Sequence, residues 1–184
     1  LVENQLYFIA IVPPEPLQSL LWEFKQEVAR KFSSVAALRS PPHVTLHMPF
    51  KLSDKRKETL CQGLNQLAGK RQPFRMEMNG FGAFEPKVIY INVSKDQSLE
   101  SLHKVLRDFM MRKMSIHNAN YKKRPFKPHL TIAFRDLKKS QFPKAWEFYK
   151  HRPFNSACEI DGISLLKHDG KQWQSEREFK FLKP

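Results

Sequence analysis

The sequence predicts an α+β chain built as two lobes related by an approximate twofold axis. Three observations carry that expectation. The segment Pro42-His43-Val44-Thr45-Leu46 returns as Pro128-His129-Leu130-Thr131-Ile132, which reads Pro-His-apolar-Thr-apolar both times. The order strand, helix, His-bearing strand, helix, strand describes residues 6–84 and recurs over residues 87–167. Two lobes are therefore expected from repeats spanning 6–84 and 87–181, within one domain covering 1–184. Finally, 184 residues with 41% hydrophobic content and 15 Phe suffice for a substantial core.

Taken in order, Leu6 to Val12 is a continuous apolar run and reads as a buried strand. Pro13, Pro14 and Pro16 stop it and open a helix, whose apolar positions Leu17, Leu20, Leu21, Phe24 and Val28 carry it to Phe32. Arg39 to Pro42 is a loop delivering the first His strand. Ser53 sits where an N-cap belongs, and Leu60, Leu64 and Leu67 mark a helix ending near Gly69. Phe74 to Phe84 and Val88 to Val93 read as strands separated by a turn at Glu85-Pro86. Leu99, Leu102, Val105, Leu106 and Phe109 then mark a third helix. Ser115 to Lys127 has no period and carries Lys122, Lys123, Arg124 and Lys127, a basic loop just ahead of the second His strand. After His129 to Phe134 come a helix around Gln141 to Lys150 and two strands, near Phe154 to Lys167 and Trp173 to Phe181.

The net charge of +14 suits a polyanionic partner, RNA or a nucleotide phosphate, but solubilising lysines explain charge alone equally well, so the site chemistry must decide. Cys61 and Cys158 follow no spacing pattern and read as ordinary reduced thiols, so a cytoplasmic protein is expected. No apolar run is long enough to span a bilayer. The start from Leu6 to Pro14 lacks a basic leader and reads as a strand, not a signal peptide. A monomer is expected.

Side chains alternate between the faces of a strand, so His43 and Thr45 share one face, as do His129 and Thr131. A single His-x-Thr says little; two copies in matching strands put two imidazoles and two hydroxyls in one cleft. That set suits acid–base work on a phosphodiester. A neutral imidazole takes a proton from water or a ribose hydroxyl, and a protonated one gives a proton to the departing oxygen. An unperturbed pKa of about 6.5 lets both forms exist near neutrality. The hydroxyls donate to the non-bridging oxygens as charge builds there. Which His takes which role is open, because the repeat makes them interchangeable.

The two motifs, the opening apolar strand and the repeat together resemble the 2H phosphoesterase superfamily, in its bacterial 2′-5′ RNA ligase-like and cyclic phosphodiesterase branch. The resemblance covers nearly the whole chain. It implies antiparallel sheets flanked by helices around a central groove, and catalysis without metal or other cofactor. It implies that His43 and His129 are the acid–base pair, with Thr45 and Thr131 holding phosphate. Hydrolysis of 2′,3′-cyclic phosphate ends of RNA or nucleotides is the leading function, commonly leaving a 2′-phosphate and with reversible 2′-5′ ligation open to the same machinery. A non-catalytic RNA- or nucleotide-binding module of the same fold is the alternative, and a metal-dependent hydrolase a third class. The absence of a Gly-rich phosphate loop argues against an ATP-using ligase.

Around that centre, Arg124 and Lys127 are candidate contacts to the substrate backbone. Arg135 shares a face with His129 if the strand stays regular, roughly 20 Å further along, at the cleft edge. His47 is an extra imidazole on the first strand; strand geometry sets it about 13 Å from His43, too far for a shared metal, and makes it a groove-wall residue. One of Tyr7 and Phe8 should line the groove, and Tyr7 is taken as the candidate. Phe126 reads as core, and His103, His117, His151 and His168 as surface residues.

Overall fold

A computed structural model describes residues 4–117 and 125–182. Eight strands form one antiparallel sheet. In chain order they are β1 (Asn4–Ile11), β2 (Val44–Ser53), β3 (Phe74–Phe84), β4 (Val88–Val93), β5 (His129–Ala133), β6 (Asn155–Ile160), β7 (Gly162–His168) and β8 (Trp173–Lys180). Among the described residues four α-helices accompany them: α1 (Leu17–Phe32), α2 (Asp54–Ala68), α3 (Gln97–Arg112) and α4 (Phe142–Lys150). A short 3-10 turn at Ala36–Arg39 precedes β2. Among the described residues no helix is long and apolar enough to cross a membrane.

The spatial order β6-β3-β4-β5-β2-β1-β7-β8 shows how the duplication is assembled. Each His strand lies at the middle of the sheet, flanked outward by the first strand of its own repeat: β2 by β1, and β5 by β4. The next strand out comes from the other repeat, because β3 pairs with β4 while β7 pairs with β1. The two four-stranded halves are thus knitted together by exchanged strands. Helices follow the same exchange: α1 and α4 cover the half containing β3 and β5, while α2 and α3 cover the half containing β2 and β8.

All four helices bury their apolar stripes in one cluster with Tyr7, Ile9 and Ile11 of β1, Val44 and Leu46 of β2, and Leu130 and Ile132 of β5. Leu21 and Val28 of α1 are fully buried there, each contributing about 1.5–3 kcal/mol by leaving water. The opposite face of β1 and β7 carries a second, small cluster of Phe8, Ala10 and Leu166, with Val12 and Trp173 against it. Helix ends follow the chain's capping chemistry: Asp96 accepts a hydrogen bond from the Leu99 N–H at 2.8 Å. Ser53 occupies the N-cap position of α2 without a side-chain bond.

The stretch expected as one strand from Phe154 to Lys167 is two. Residue 161 breaks it, with the Asp161 carbonyl accepting from the Phe181 N–H at 2.7 Å. As a result β6 lies at the edge beside β3, and β7 lies across the sheet beside β1. His103, expected at the surface, is buried at 6% exposure and stacked on Phe126 at 3.8 Å.

Candidate active site

The two His strands meet at a single bridge, Val44 with Leu130. Carried one residue either way, that antiparallel register sets Thr131 beside His43 and His129 beside Thr45. Directly opposed side chains in such a pair are separated by about 5 Å, and the diagonal between the two histidines by about 7–8 Å. A phosphate group fits between them. The neighbouring strands extend both rows: Tyr90 pairs with Thr131 and Asn92 with His129, while Ala10 pairs with Thr45. All four motif side chains are half-buried, open toward the face that no helix covers.

Both imidazoles are held in the same way. His43 Nδ1 lies 2.8 Å from the Pro41 carbonyl, and His129 Nδ1 lies 2.7 Å from the Lys127 carbonyl. A carbonyl only accepts, so Nδ1 carries the proton in each ring and Nε2 of the neutral form presents a lone pair. The chain achieves this locally, since in each case the acceptor sits two residues ahead of the His. An aromatic ring backs each imidazole: Phe8 at 4.7 Å from His43, and Tyr90 at 5.0 Å from His129. Those rings are buttressed in turn, Phe8 by Trp173 at 4.6 Å and Tyr90 by Phe84 at 4.6 Å. Phe84 also meets His129 edge-on at 5.1 Å.

Burial makes both imidazoles reluctant to charge. Desolvation, with the nearby Lys25 ammonium second, pushes His43 down to about 3, against a smaller upward pull from the Pro41 carbonyl. Desolvation also lowers His129, partly offset by its bond to the Lys127 carbonyl. Burial therefore favours the neutral form of both rings at pH 7. A bound phosphate changes that balance, because its negative charge favours the imidazolium.

The structure brings His43, Thr45, His129 and Thr131 together and distributes the other sequence candidates differently. Lys127 is exposed, with its ammonium 5.2 Å from the rings of both Phe84 and Tyr90, beside His129. Arg124 lies outside the described residues. Arg135 does not continue the strand, which ends at Ala133. It adopts a left-handed backbone conformation with φ of 58° and lays its guanidinium 5.2 Å from the Phe134 ring.

Two candidates are corrected. Tyr7 is fully buried on the helix-covered face, and Phe8 is the ring that reaches the groove. His47 also faces the core, at 2% exposure, with Nδ1 2.9 Å from the Met48 carbonyl and its ring edge-on to Phe50. The physical reason is a bulge: Ala10 pairs with Thr45, but Ile9 pairs with His47, so one extra residue in β2 turns His47 onto the opposite face.

Phe8, Phe84, Tyr90, Asn92 and Trp173 join the site without having been singled out by motif. Asn92 had a signal, a residue type depleted in strands set in the middle of an apolar one. A cleft of about 500 Å³ opens beside the loop before His43, between α1, the 38–42 segment and Trp173. Among the described residues, no three His, Cys, Asp or Glu side chains converge as a metal site requires.

Comparison with known proteins identifies the family and the fold. Residues 13–172 match the family described as the 2′-5′ RNA ligase superfamily. The chain is similar to a protein of Oceanobacillus iheyensis named "Putative phosphoesterase OB1230", 27% identical over 176 residues that cover 94% of this chain and 96% of that one. A Bacillus cereus protein with the same style of name is 33% identical over 149 residues, covering 78% of this chain and 80% of its own. Escherichia coli LigT, crystallised with 3′-AMP, shares the fold with a TM-score of 0.70 at 20% identity, over 97% of this chain and 99% of that one. TT0787 of Thermus thermophilus does so with a TM-score of 0.69 at 20% identity, over 96% and 97%. The chain belongs to the 2′-5′ RNA ligase superfamily, a family of 2H phosphoesterases.

Proposed function

We propose that the protein is a metal-independent phosphodiesterase that opens 2′,3′-cyclic phosphate ends of RNA or nucleotides. One observation carries the reading. Two imidazoles, each fixed by an Nδ1–H bond to a carbonyl and so left with a lone pair on Nε2, stand beside two threonines on paired strands. That is the full proton inventory of the reaction. One Nε2 takes a proton from water as its oxygen bonds to phosphorus. The P–O bond to one ribose oxygen breaks, and the other His, protonated at Nε2, returns a proton to that oxygen. Thr45 and Thr131 donate to the non-bridging oxygens, where the transition state gathers charge.

Loss of the 3′ oxygen leaves a 2′-phosphate. The same path with a ribose 5′-hydroxyl in place of water is 2′-5′ ligation, and its reverse cleaves a 2′-5′ linkage. LigT has been crystallised with 3′-AMP, ATP and NADP+, which supports a nucleotide-sized ligand in a groove of this shape. The aromatic rings beside both histidines and the net charge of +14 support RNA ends over small inorganic esters.

The test is hydrolysis of 2′,3′-cyclic AMP and of a cyclic-phosphate-ended oligonucleotide in EDTA, with wild type beside His43→Ala and His129→Ala. Turnover in EDTA that either substitution abolishes supports the paired mechanism. Tight binding without turnover by wild type would instead support the non-catalytic binding module.

A further inference from the structure

Lys25 interrupts the apolar stripe of α1, between Leu21 and Val28, and is 1% exposed. Its Nζ donates to three backbone carbonyls: Ala37 at 2.9 Å, Ser40 at 2.9 Å and Pro41 at 3.2 Å. Burial pushes Lys25 down to about 7, and the three carbonyls oppose that shift, because three acceptors around one nitrogen call for three N–H donors, which only the ammonium has. The Pro41 carbonyl is the same one that accepts from His43 Nδ1. A buried cation and the His43 ring thus share a single acceptor atom. No buried cation stands behind His129: its acceptor is the Lys127 carbonyl, and the Lys127 ammonium, exposed to water over Phe84 and Tyr90, lowers His129 less than desolvation does.

We infer that Lys25 is a positioning residue that breaks the symmetry of the duplicated site, reserving the neutral, proton-accepting role for His43 and the proton-donating role for His129. The inference rests on the paired-His reading given above and assigns its two roles. Physically, the Pro41 carbonyl is already polarised by an ammonium, so it stabilises a His43 imidazolium less. The cation itself repels that imidazolium with little water to screen it.

Of the other charges near His43, two carboxylates oppose this weakly: Glu15, just ahead of α1, and Glu23 on α1 line the adjoining cleft. Arg39 of the 36–39 turn, a cation, acts with Lys25; all three are exposed. From β5, His129 adds a further repulsion when charged. The neighbours from β1 and β8, Phe8 and Trp173, carry no charge. In the step itself, His43 Nε2 accepts the proton of the attacking water as the new P–O bond forms. His129 Nε2–H then delivers its proton to the leaving ribose oxygen.

The experiment is an NMR titration of the histidine ring resonances of the full chain, with and without bound inorganic phosphate, alongside pH–rate profiles of wild type and Lys25→Met. In wild type, His43 should keep its proton on Nδ1 and titrate below His129 in both states. In Lys25→Met, the His43 titration should move up by at least one pH unit. The acid limb of kcat/KM should move with it, and neutral-pH kcat should fall by up to about fourfold as the proton distributes over both rings. A purely structural lysine would lower stability without moving that limb.

Wild type decides even if Lys25→Met does not fold: a His43 that titrates with or above His129 overturns the assignment, as does a folded Lys25→Met with an unmoved acid limb. If instead His43→Ala and His129→Ala both keep full turnover, the paired-His reading itself fails.

Discussion

Replacing Gly82 by Ala tests whether the wall behind His129 matters for chemistry. Gly82 of β3 pairs with Tyr90 of β4, and the Tyr90 ring lies across the space where a side chain would be. A Cβ at Gly82 would stand 2.4 Å from Cε2, 2.6 Å from Cζ and 2.7 Å from Oη of that ring. Ordinary carbon contacts begin near 3.5 Å, so the ring must retreat by about 1 Å. It has little freedom, being 1% exposed with Phe84 at 4.6 Å and His129 at 5.0 Å, and retreat means pressing on the imidazole. Overpacking of this kind costs about 1–3 kcal/mol. For a chain of this size that lowers Tm by roughly 2–12 °C. A general acid displaced by about 1 Å loses on the order of 100-fold in kcat. Calorimetry and cyclic-phosphate hydrolysis measure both. The double variant Gly82→Ala with Tyr90→Leu should recover stability non-additively, by more than about 0.5 kcal/mol, without recovering activity. Gly82→Ala with wild-type Tm and kcat would refute the argument.

The buried histidines predict acid lability. His103 is pushed down to about 4, by burial first and the Arg107 cation second, so its charged form is favoured by unfolding. The unfolded chain then binds more protons, and stability present above pH 6.5 is lost as pH falls through that window. Burial acts in the same direction on His43, His47 and His129. Urea midpoints should therefore drop between pH 7 and pH 4, by about 3 kcal/mol from His103 alone, and His103→Gln should flatten the curve. Asp136 joins the segment after β5 to the turn before β2, accepting from Ser34 Oγ at 2.7 Å and from the Val35 and Ala36 N–H groups at 2.8 and 2.9 Å. Asp136→Ala should cost about 1–2 kcal/mol in chemical denaturation. Trp173→Ala removes the ring that props Phe8, and should raise KM for a cyclic-phosphate oligonucleotide roughly tenfold while leaving kcat within a few-fold. Steady-state kinetics on long and short substrates check it.

Local pattern revealed the elements and the two motifs, because apolar period and duplication are written along the chain. Long-range pairing is not. Nothing in residues 74–84 says that this strand leaves its own repeat to lie beside β4, since the choice is made by sheet closure. Face assignment depends on register, which explains the two corrections. Strict alternation puts His47 with His43, but the extra residue in β2 inverts the parity beyond Thr45. Tyr7 and Phe8 differ by one position, and only the packing of α2 and α3 on that half decides which is core. Lys25 was visible in principle, as a charge on an otherwise apolar helical stripe, but its meaning needs the Pro41 carbonyl that tertiary structure brings to it.

A duplicated acid–base site has a problem that its symmetry creates. If both imidazoles had the same pKa, placed at the working pH and independent of each other, only about a quarter of molecules would hold the one productive arrangement. The rest would carry no proton, two protons, or one proton on the wrong ring. Burial here disfavours the doubly charged state by desolvating both rings. Substrate then supplies what is missing, since the phosphodiester's negative charge draws a proton to whichever ring resists it less. With a buried ammonium on the acceptor of His43 and none on that of His129, the proton arrives on His129. Substrate binding should accordingly take up a proton. Calorimetric titration with a non-hydrolysable phosphodiester at pH 7, in buffers of different ionisation enthalpy, should report a net uptake between zero and one. His129→Gln should abolish that uptake and His43→Gln should leave it, a pattern that a symmetric site cannot produce.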